Sequence, residues 1–350
     1  MTENHPSVLF RCDAWPEMGY GHVVRCLALA DELRDAHGCD VAFAMIGGTP
    51  GARMAEAKGY RVVALDREAL VRDYARWLKA AANGVGAGAL VLDVRDDLPI
   101  AALRALKEKG ILVATIDDPS ERRLVADLAF YPPVPQVRRM DWRGFSGEFC
   151  AGWEWVVLRM EFSRRAVREE HEVPVVLVTM GGSDPCGMTL KAVEALDLLD
   201  PDLDLRPLVL LGPGFLHNEA LKELVSGARR RFELLSGVSD IAGLMARSDL
   251  ALGSFGVTSY ELAAMGVPGI YLCLTEDHAE SSSTFVEAGM GECLGVHDRV
   301  TSRQLCNAIS GLLLDRPALQ RMAESCTRNV DGKGAKRVAD KISGRIVHGD

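Results

Sequence analysis

The chain has 350 residues, too many for one ordinary hydrophobic core and suited to two domains of roughly 150 to 200 residues each. Apolar residues (48%) and charged residues (25%) stand in a ratio that excludes a disordered or fibrous chain, and 49 acidic against 40 basic side chains give a net charge of -9, which removes a long-range field for gathering nucleic acid or anionic membrane. No apolar run reaches the roughly 18 residues that cross a bilayer, the opening MTENHPSV lacks the pattern of a leader, and nine scattered cysteines form no CxxC pair; we therefore expect a soluble cytoplasmic protein with reduced thiols.

Short β-rich apolar runs alternate with longer helical patterns along the chain. Residues 8–14 (VLFRCDA), 41–46, 61–65, 89–93, 111–117 and 127–132 read as strands of a first half. A stretch rich in tryptophan and arginine (138–165) and the charged AVREEHEVP follow, and the rhythm restarts with 173–180, 205–212, 232–235, 250–253 and 268–273. Strands this uniformly apolar must be covered on both faces, as in parallel sheets flanked by helices. The expectation is an α/β chain of two Rossmann-like doubly wound domains, 1–160 and 172–335, hinged near 160–173, with a terminal helix over 336–350 packing back towards the first. In such sheets ligands bind beyond the carboxyl ends of the strands, so the loops there are where chemistry is sought.

Three glycine-rich loops occupy such positions. In EMGYGHVVRCLALADEL, Gly19 and Gly21 bracket Tyr20 and a helix opens near His22. A dinucleotide fingerprint would need a third glycine at Val24 and an acid at Met45 or Ile46, so that reading fails. What remains is a histidine in a first helical turn, where the dipole disfavours imidazolium and leaves a neutral ring able to accept a proton at pH 7; the alternative is a histidine that caps or packs its helix. Cys26 shares the face of His22, but zinc wants three or four ligands, and no metal is predicted. In VTMGGSDPCGMT, Gly181, Gly182 and Ser183 can aim amides and a hydroxyl at an anion, or form a plain turn. In LALGSFGVTSYELAAMGVP a buried strand runs into a helix beginning near Val257, with Thr258 and Ser259 in a first turn suited to a diphosphate. Glu261 there can accept ribose hydroxyls or serve in a capping box. Asp93, Asp96, Asp97, Asp117 and Asp118 also follow strands; two could hold magnesium, but capping of the next helix is the preferred role.

RCDAWPEMGYGHVVRCLALADEL (11–33) resembles the amino-terminal signature of the nucleotide-sugar hydrolase of the pseudaminic acid pathway and of the related spore-coat polysaccharide proteins. VTMGGSDP, GWEWVVLRMEF (152–162) and SFGVTSYELAAMGVP resemble later blocks of that family, the last being shared with glycosyltransferases of the GT-B class. The resemblance implies a GT-B fold whose domains face each other across a cleft, with UDP in the carboxyl-terminal domain. Water would replace UDP, with inversion, at the anomeric carbon of UDP-2,4-diacetamido-2,4,6-trideoxy-β-L-altropyranose. His22 would be the base, Gly256, Val257, Thr258 and Ser259 the diphosphate loop, Glu261 the ribose ligand and the Val238 backbone the uracil edge. Asp13, Gly19, Gly21, Arg25, Ser254, Asp277 and His278 complete the implied substrate set, with Gly181, Gly182 and Ser183 as helpers. The implied partner is a small-molecule UDP-sugar, without cofactor, nucleic acid or membrane, and a monomer is favoured. The chain departs from the family pattern at Val94 and Arg95, where a tyrosine usually follows the aspartate, at Asp277 and His278 in place of Asn-Gln, and at Trp15 in place of serine. These departures point to a different sugar pocket. A glycosyltransferase with an acceptor hydroxyl in place of water is the runner-up, followed by a non-catalytic nucleotide-sugar binder.

Overall fold

The computed structural model describes residues 5–15, 19–164 and 171–348, without the side chains of 69–72, 347 and 348. Pro16, Glu17 and Met18 of the first glycine loop, and 165–170 of the charged run read as a hinge, lie outside the described residues. The chain divides into two compact units, one of Met1–Pro133, Val137–Met160 and Gly332–Asp350, the other of Val134–Gln136 and Glu161–Asp331.

The first unit is built on β1 (Ser7–Cys12), β2 (Asp40–Ile46), β3 (Arg61–Leu65), β4 (Ala89–Asp93), β5 (Leu112–Ile116), β6 (Leu128–Tyr131) and β7 (Glu148–Ala151). They pair in parallel in the order β3-β2-β1-β4-β5-β6-β7. Its helices include α1 (Gly21–His37), α2 (Pro50–Ala57), α3 (Arg67–Gly84) and α4 (Ile100–Lys107), and the short α5 (Pro135–Arg139) straddles the division. The second unit carries β8 (Val175–Thr179), α6 (Met188–Asp197), β9 (Arg206–Leu211), α7 (Asn218–Gly227), β10 (Glu233–Ser236), α8 (Ile241–Ala246), β11 (Leu250–Ser254), α9 (Val257–Ala264), β12 (Gly269–Cys273), α10 (Glu276–Glu287), β13 (Gly291–Val296), α11 (Ser302–Leu314) and α12 (Arg316–Asn329). Its parallel sheet has the order β10-β9-β8-β11-β12-β13. The final helix, α13 (Gly334–His348), belongs to the first unit.

The period of two in β1 sorts its side chains onto two cores. Val8 and Phe10 join Leu29 and Leu33 of α1 on one face, while Leu9 joins Leu90 of β4, Leu78 of α3 and Leu103 of α4 on the other. Ala335, Val338, Ala339 and Ile342 recur at helical spacing along α13 and bury into the first of these cores. The approach is close enough that a Cβ on Gly334 would lie 2.0 Å from the Val156 carbonyl oxygen, so only glycine fits where α13 begins.

Both sheets are the doubly wound parallel sheets expected from the apolar runs. Two strands have no counterpart among those runs, and both sit at sheet edges. β7 is half-exposed, and β13 reads GECLGV, with two glycines and a charge. An edge strand has a neighbour on one side only and need not be apolar throughout.

In each sheet the chain order reverses once. β1 lies beside β4 in the first unit and β8 beside β11 in the second, although neither pair is consecutive in sequence. The loops leaving these strands diverge to opposite faces, which opens a crevice at the carboxyl edge.

Candidate active site

His22 is the second residue of α1, just beyond β1, and Asp93 closes β4. Register pairs Cys12 with Asp93, so the reversal in strand order brings residues 71 apart in sequence into contact. The Nδ1 of His22 lies 2.6 Å from Asp93 Oδ1. Arg25 donates from Nε to Asp93 Oδ2 at 2.5 Å and from Nη2 to Oδ1 at 2.6 Å, and the Cys26 Sγ approaches Oδ2 at 3.6 Å. His22, Arg25 and Cys26 stand at i, i+3 and i+4 and so present one helix face to one carboxylate.

The Asp93 side chain is fully buried, while those of Arg25 and His22 are 12% and 19% exposed. Burial pushes the Asp93 carboxyl up, but the charges and hydrogen bonds of Arg25 and His22 outweigh it and hold the group well below the usual carboxylate range. An ionised Asp93 facing Nδ1 places the ring proton there and leaves Nε2 with its lone pair. This is the arrangement of an oriented general base, with a carboxylate ready to stabilise the imidazolium that proton abstraction would form. The preference for Asp93 as a helix cap is thereby corrected: its oxygens are taken by three side chains of α1.

Arg25, expected among the substrate contacts, is instead committed to Asp93 and lies 3.6 Å from Asp117 through Nη1. Asp117 takes φ +53° and is gripped by Arg95, whose Nη2 donates to Oδ2 at 2.9 Å. Asp13 is likewise committed. Its Oδ1 accepts the Ile46 N–H at 2.8 Å and its Oδ2 pairs with Arg11, both side chains being almost wholly buried. Arg11 also donates to the Tyr74 hydroxyl at 2.5 Å and to Asp96 at 2.9 Å. Asp96 and Asp118 are further held by Arg122, at 2.9 and 3.0 Å. Of the aspartates weighed as magnesium ligands, Asp93, Asp96, Asp117 and Asp118 each face a guanidinium. The set Arg11, Asp13, Asp96, Arg122 and Asp118 is an ionic lattice, buried except at Asp96. Gly19, at φ +83°, bonds its N–H to the Trp15 carbonyl at 3.0 Å and turns the chain into α1 beside Gly21.

In the second unit the expected residues gather at the carboxyl edge of the sheet. Gly181, Gly182 and Ser183 leave β8, partly exposed. Gly181 takes φ +79°, and the buried Asp184 caps α6 by accepting the N–H groups of Met188 and Thr189, both at 2.8 Å. A Cβ on Gly212 would lie 2.4 Å from the carbonyl oxygens of Gly181 and Gly182, so the loop after β9 packs backbone to backbone on this one. Ser254, which closes β11, and Gly256, Val257 and Thr258 at the start of α9 are partly exposed, and as first-turn residues Val257 and Thr258 have N–H groups without an intrahelical partner. Ser259 is fully buried, and both its N–H (3.0 Å) and its hydroxyl (2.5 Å) are spent on the Gly256 carbonyl. It shapes the turn instead of facing a diphosphate, which corrects its expected role as a direct contact. Glu261 is 6% exposed.

Val238 follows β10, half-buried, after Gly237 at φ +63°. Asp277 and His278 lie in the first turn of α10, whose cap is the Thr275 hydroxyl accepting the His278 N–H at 3.2 Å. Burial lowers the His278 pKa, which keeps that ring neutral at pH 7. Asp277 Oδ1 accepts from the side-chain amide of Gln136 at 3.0 Å.

No family model matches the chain. The spore coat polysaccharide biosynthesis protein SpsG of Bacillus subtilis (strain 168) is 27% identical over 191 residues, covering 53% of this chain and 56% of the relative. The UDP-N-acetylglucosamine--N-acetylmuramyl-(pentapeptide) pyrophosphoryl-undecaprenol N-acetylglucosamine transferase of Phenylobacterium zucineum (strain HLK1) is 29% identical over 189 residues, half of each chain. The chain thus spans about half the length of the curated relatives it matches. The crystal structure of MurG from Acinetobacter baumannii aligns with a TM-score of 0.71 at 16% identity, covering 97% of this chain and 99% of MurG. The chain has the GT-B fold.

Among the described residues of this GT-B chain no helix is long and apolar enough to cross a membrane, and no group of three or more His, Cys, Asp or Glu side chains is placed to hold a metal. The residue that sequence reasoning underrated is Asp93. A signal for it existed: an acid closing the otherwise apolar run ALVLD, opposite a helix face bearing three polar donors.

Proposed function

We propose that this GT-B chain breaks the anomeric C–O bond of a UDP-linked sugar and passes the glycosyl group, with inversion, to an acceptor hydroxyl, using His22 as the base. The observation that carries the reading is the buried Asp93 behind His22 at the strand reversal of the first sheet. Nε2 of His22 takes the proton of the incoming hydroxyl, and Asp93 stabilises the imidazolium. The second unit by itself offers the first-turn N–H groups of Val257 and Thr258, and the Gly181, Gly182 and Ser183 loop, to a diphosphate, and Glu261 and the Val238 backbone to the nucleoside. Similarity to a UDP-N-acetylglucosamine-dependent transferase and to a polysaccharide biosynthesis protein supports a nucleotide-sugar donor and favours transfer over hydrolysis.

Hydrolysis of a diacetamido-trideoxy sugar nucleotide is the second reading, suggested by the block in which Arg11 to Ala14, Gly19 to His22 and Arg25 to Leu27 resemble the signature that the hydrolase shares with the spore-coat polysaccharide proteins. Incubation with UDP-sugars, with and without hydroxyl acceptors, separates the two. Transfer releases UDP only when the acceptor is added, and steady release in water alone moves the assignment to hydrolysis. His22→Ala should lower turnover by roughly 100-fold to 10,000-fold while UDP binding persists. Unchanged turnover in that variant removes His22 from the mechanism.

A further inference from the structure

Cys273 closes β12, wholly buried, and Cys293 is the third residue of the neighbouring β13, half-buried on the sheet edge. Tyr271 pairs with Cys293, and the register then slips so that Cys273 pairs with Val296. Cys273 and Tyr271 share a sheet face, and Cys293 is opposite Tyr271, so the two thiols meet diagonally on one face. Their sulfurs are 3.5 Å apart. A disulfide needs roughly 2.05 Å, a closure of about 1.5 Å. The extra residue in β13, with Gly295 at φ +98°, supplies slack for that movement.

We propose that Cys273 and Cys293 form a peroxide-reactive dithiol that closes into an intrachain disulfide. Cys293 is the attacking sulfur. It lies on the edge strand, accepts a hydrogen bond from the Gly295 N–H at 3.4 Å and has the Cys273 sulfur 3.5 Å away, and these contacts lower its pKa, while the buried Cys273 shifts upward. In the first step the Cys293 thiolate attacks one oxygen of a hydroperoxide; the O–O bond breaks, the leaving oxygen takes a proton, and Cys293 becomes a sulfenic acid. In the second, the Cys273 sulfur displaces the sulfenic oxygen, which leaves as water with the Cys273 proton. With hydrogen peroxide, two thiols and one peroxide give one disulfide and two waters, the two electrons coming from the two sulfurs.

The consequence is local to the second unit. Thr275, two residues beyond Cys273, caps α10, and Ser282 of that helix sits against both thiols. Closure therefore pulls on the turn carrying Asp277 and His278. The chemistry itself is independent of the enzymatic reading and is tested without an activity assay.

The 350-residue chain carrying Cys186→Ser, which removes an exposed competing thiol, is treated with hydrogen peroxide and mapped by mass spectrometry. A peptide cross-linked through Cys273 and Cys293, reversed by dithiothreitol, is expected, with two thiols lost from the denatured count. Adding Cys273→Ser should abolish the cross-link and leave Cys293 as a sulfenic acid trapped by dimedone. Adding Cys293→Ser should slow thiol loss at least about tenfold. Cross-links confined to other cysteines, or over-oxidation of Cys293 in the parent chain with Cys273 still a free thiol, would overturn the proposal. Because mapping of the parent chain decides this, a variant that fails to fold does not rescue it.

Discussion

Replacing Asp93 by asparagine changes one atom at the centre of the site and tests the whole arrangement. Asp93 accepts from Arg25 twice and from His22 once, with its side chain fully buried. Asparagine keeps one acceptor oxygen but must turn an NH2 donor towards either Arg25 or Nδ1 of His22. If it faces Arg25, a buried guanidinium loses half its compensation; breaking a buried pair costs about 3 to 5 kcal/mol. For a unit of this size that is a fall in Tm of about 6 to 20 °C, taking about 2 to 4 °C per kcal/mol. If it faces His22, it donates to Nδ1, drives the ring proton to Nε2 and removes the lone pair needed for catalysis, with a turnover loss of about 100-fold to 10,000-fold. Calorimetry reads the first outcome; UDP release, together with nitrogen NMR of the His22 ring tautomer, reads the second. A variant within about 2 °C in Tm and about threefold in turnover of the parent would refute the assignment of Asp93 as orienting residue.

The same pair has a pH signature. The folded-state pKa of Asp93 is depressed, so its stabilising contribution is present above the unfolded value of about 3.9 and is lost as pH falls towards the folded one. The stability gap between the parent and Asp93→Asn in urea unfolding should therefore stay level from pH 7 to about 4.5 and narrow only below about pH 4; narrowing already at pH 6 contradicts an ionised, paired carboxylate. Gly212→Ala places a Cβ 2.4 Å from two carbonyl oxygens of the Gly181–Gly182 loop, so it should lower the Tm of the second unit and weaken UDP binding measured by calorimetric titration. Retained affinity would separate that loop from nucleotide binding. Asp184→Ala removes both caps of α6 and should cost about 1 to 2 kcal/mol in denaturant unfolding, and a cost below about 0.5 kcal/mol would show that water replaces them. Ile342→Ala, by emptying a fully buried position of α13, should cost about 2 to 5 kcal/mol in the unfolding of the first unit.

The sequence by itself determined the class of the fold and the loops that matter. Runs such as ALVLD and VVLVT are apolar at every step but the last because parallel strands are covered on both faces, and glycines after strands mark turns at the carboxyl edge whatever the strand order. His22 was legible as a presented histidine for the same local reason: it follows Gly21 at the opening of a helix. Edge strands β7 and β13 were not legible, since burial on one side only leaves no strong pattern. The partners of the charged residues were the tertiary structure's to decide. Asp93 and Asp13 both follow apolar strands and read alike in sequence, yet one orients a histidine and the other is sealed against Arg11. The difference comes from strand order. Pairing β1 with β4 sets which side chains share the crevice and brings His22 against Asp93, 71 residues away, and no local spacing encodes that adjacency.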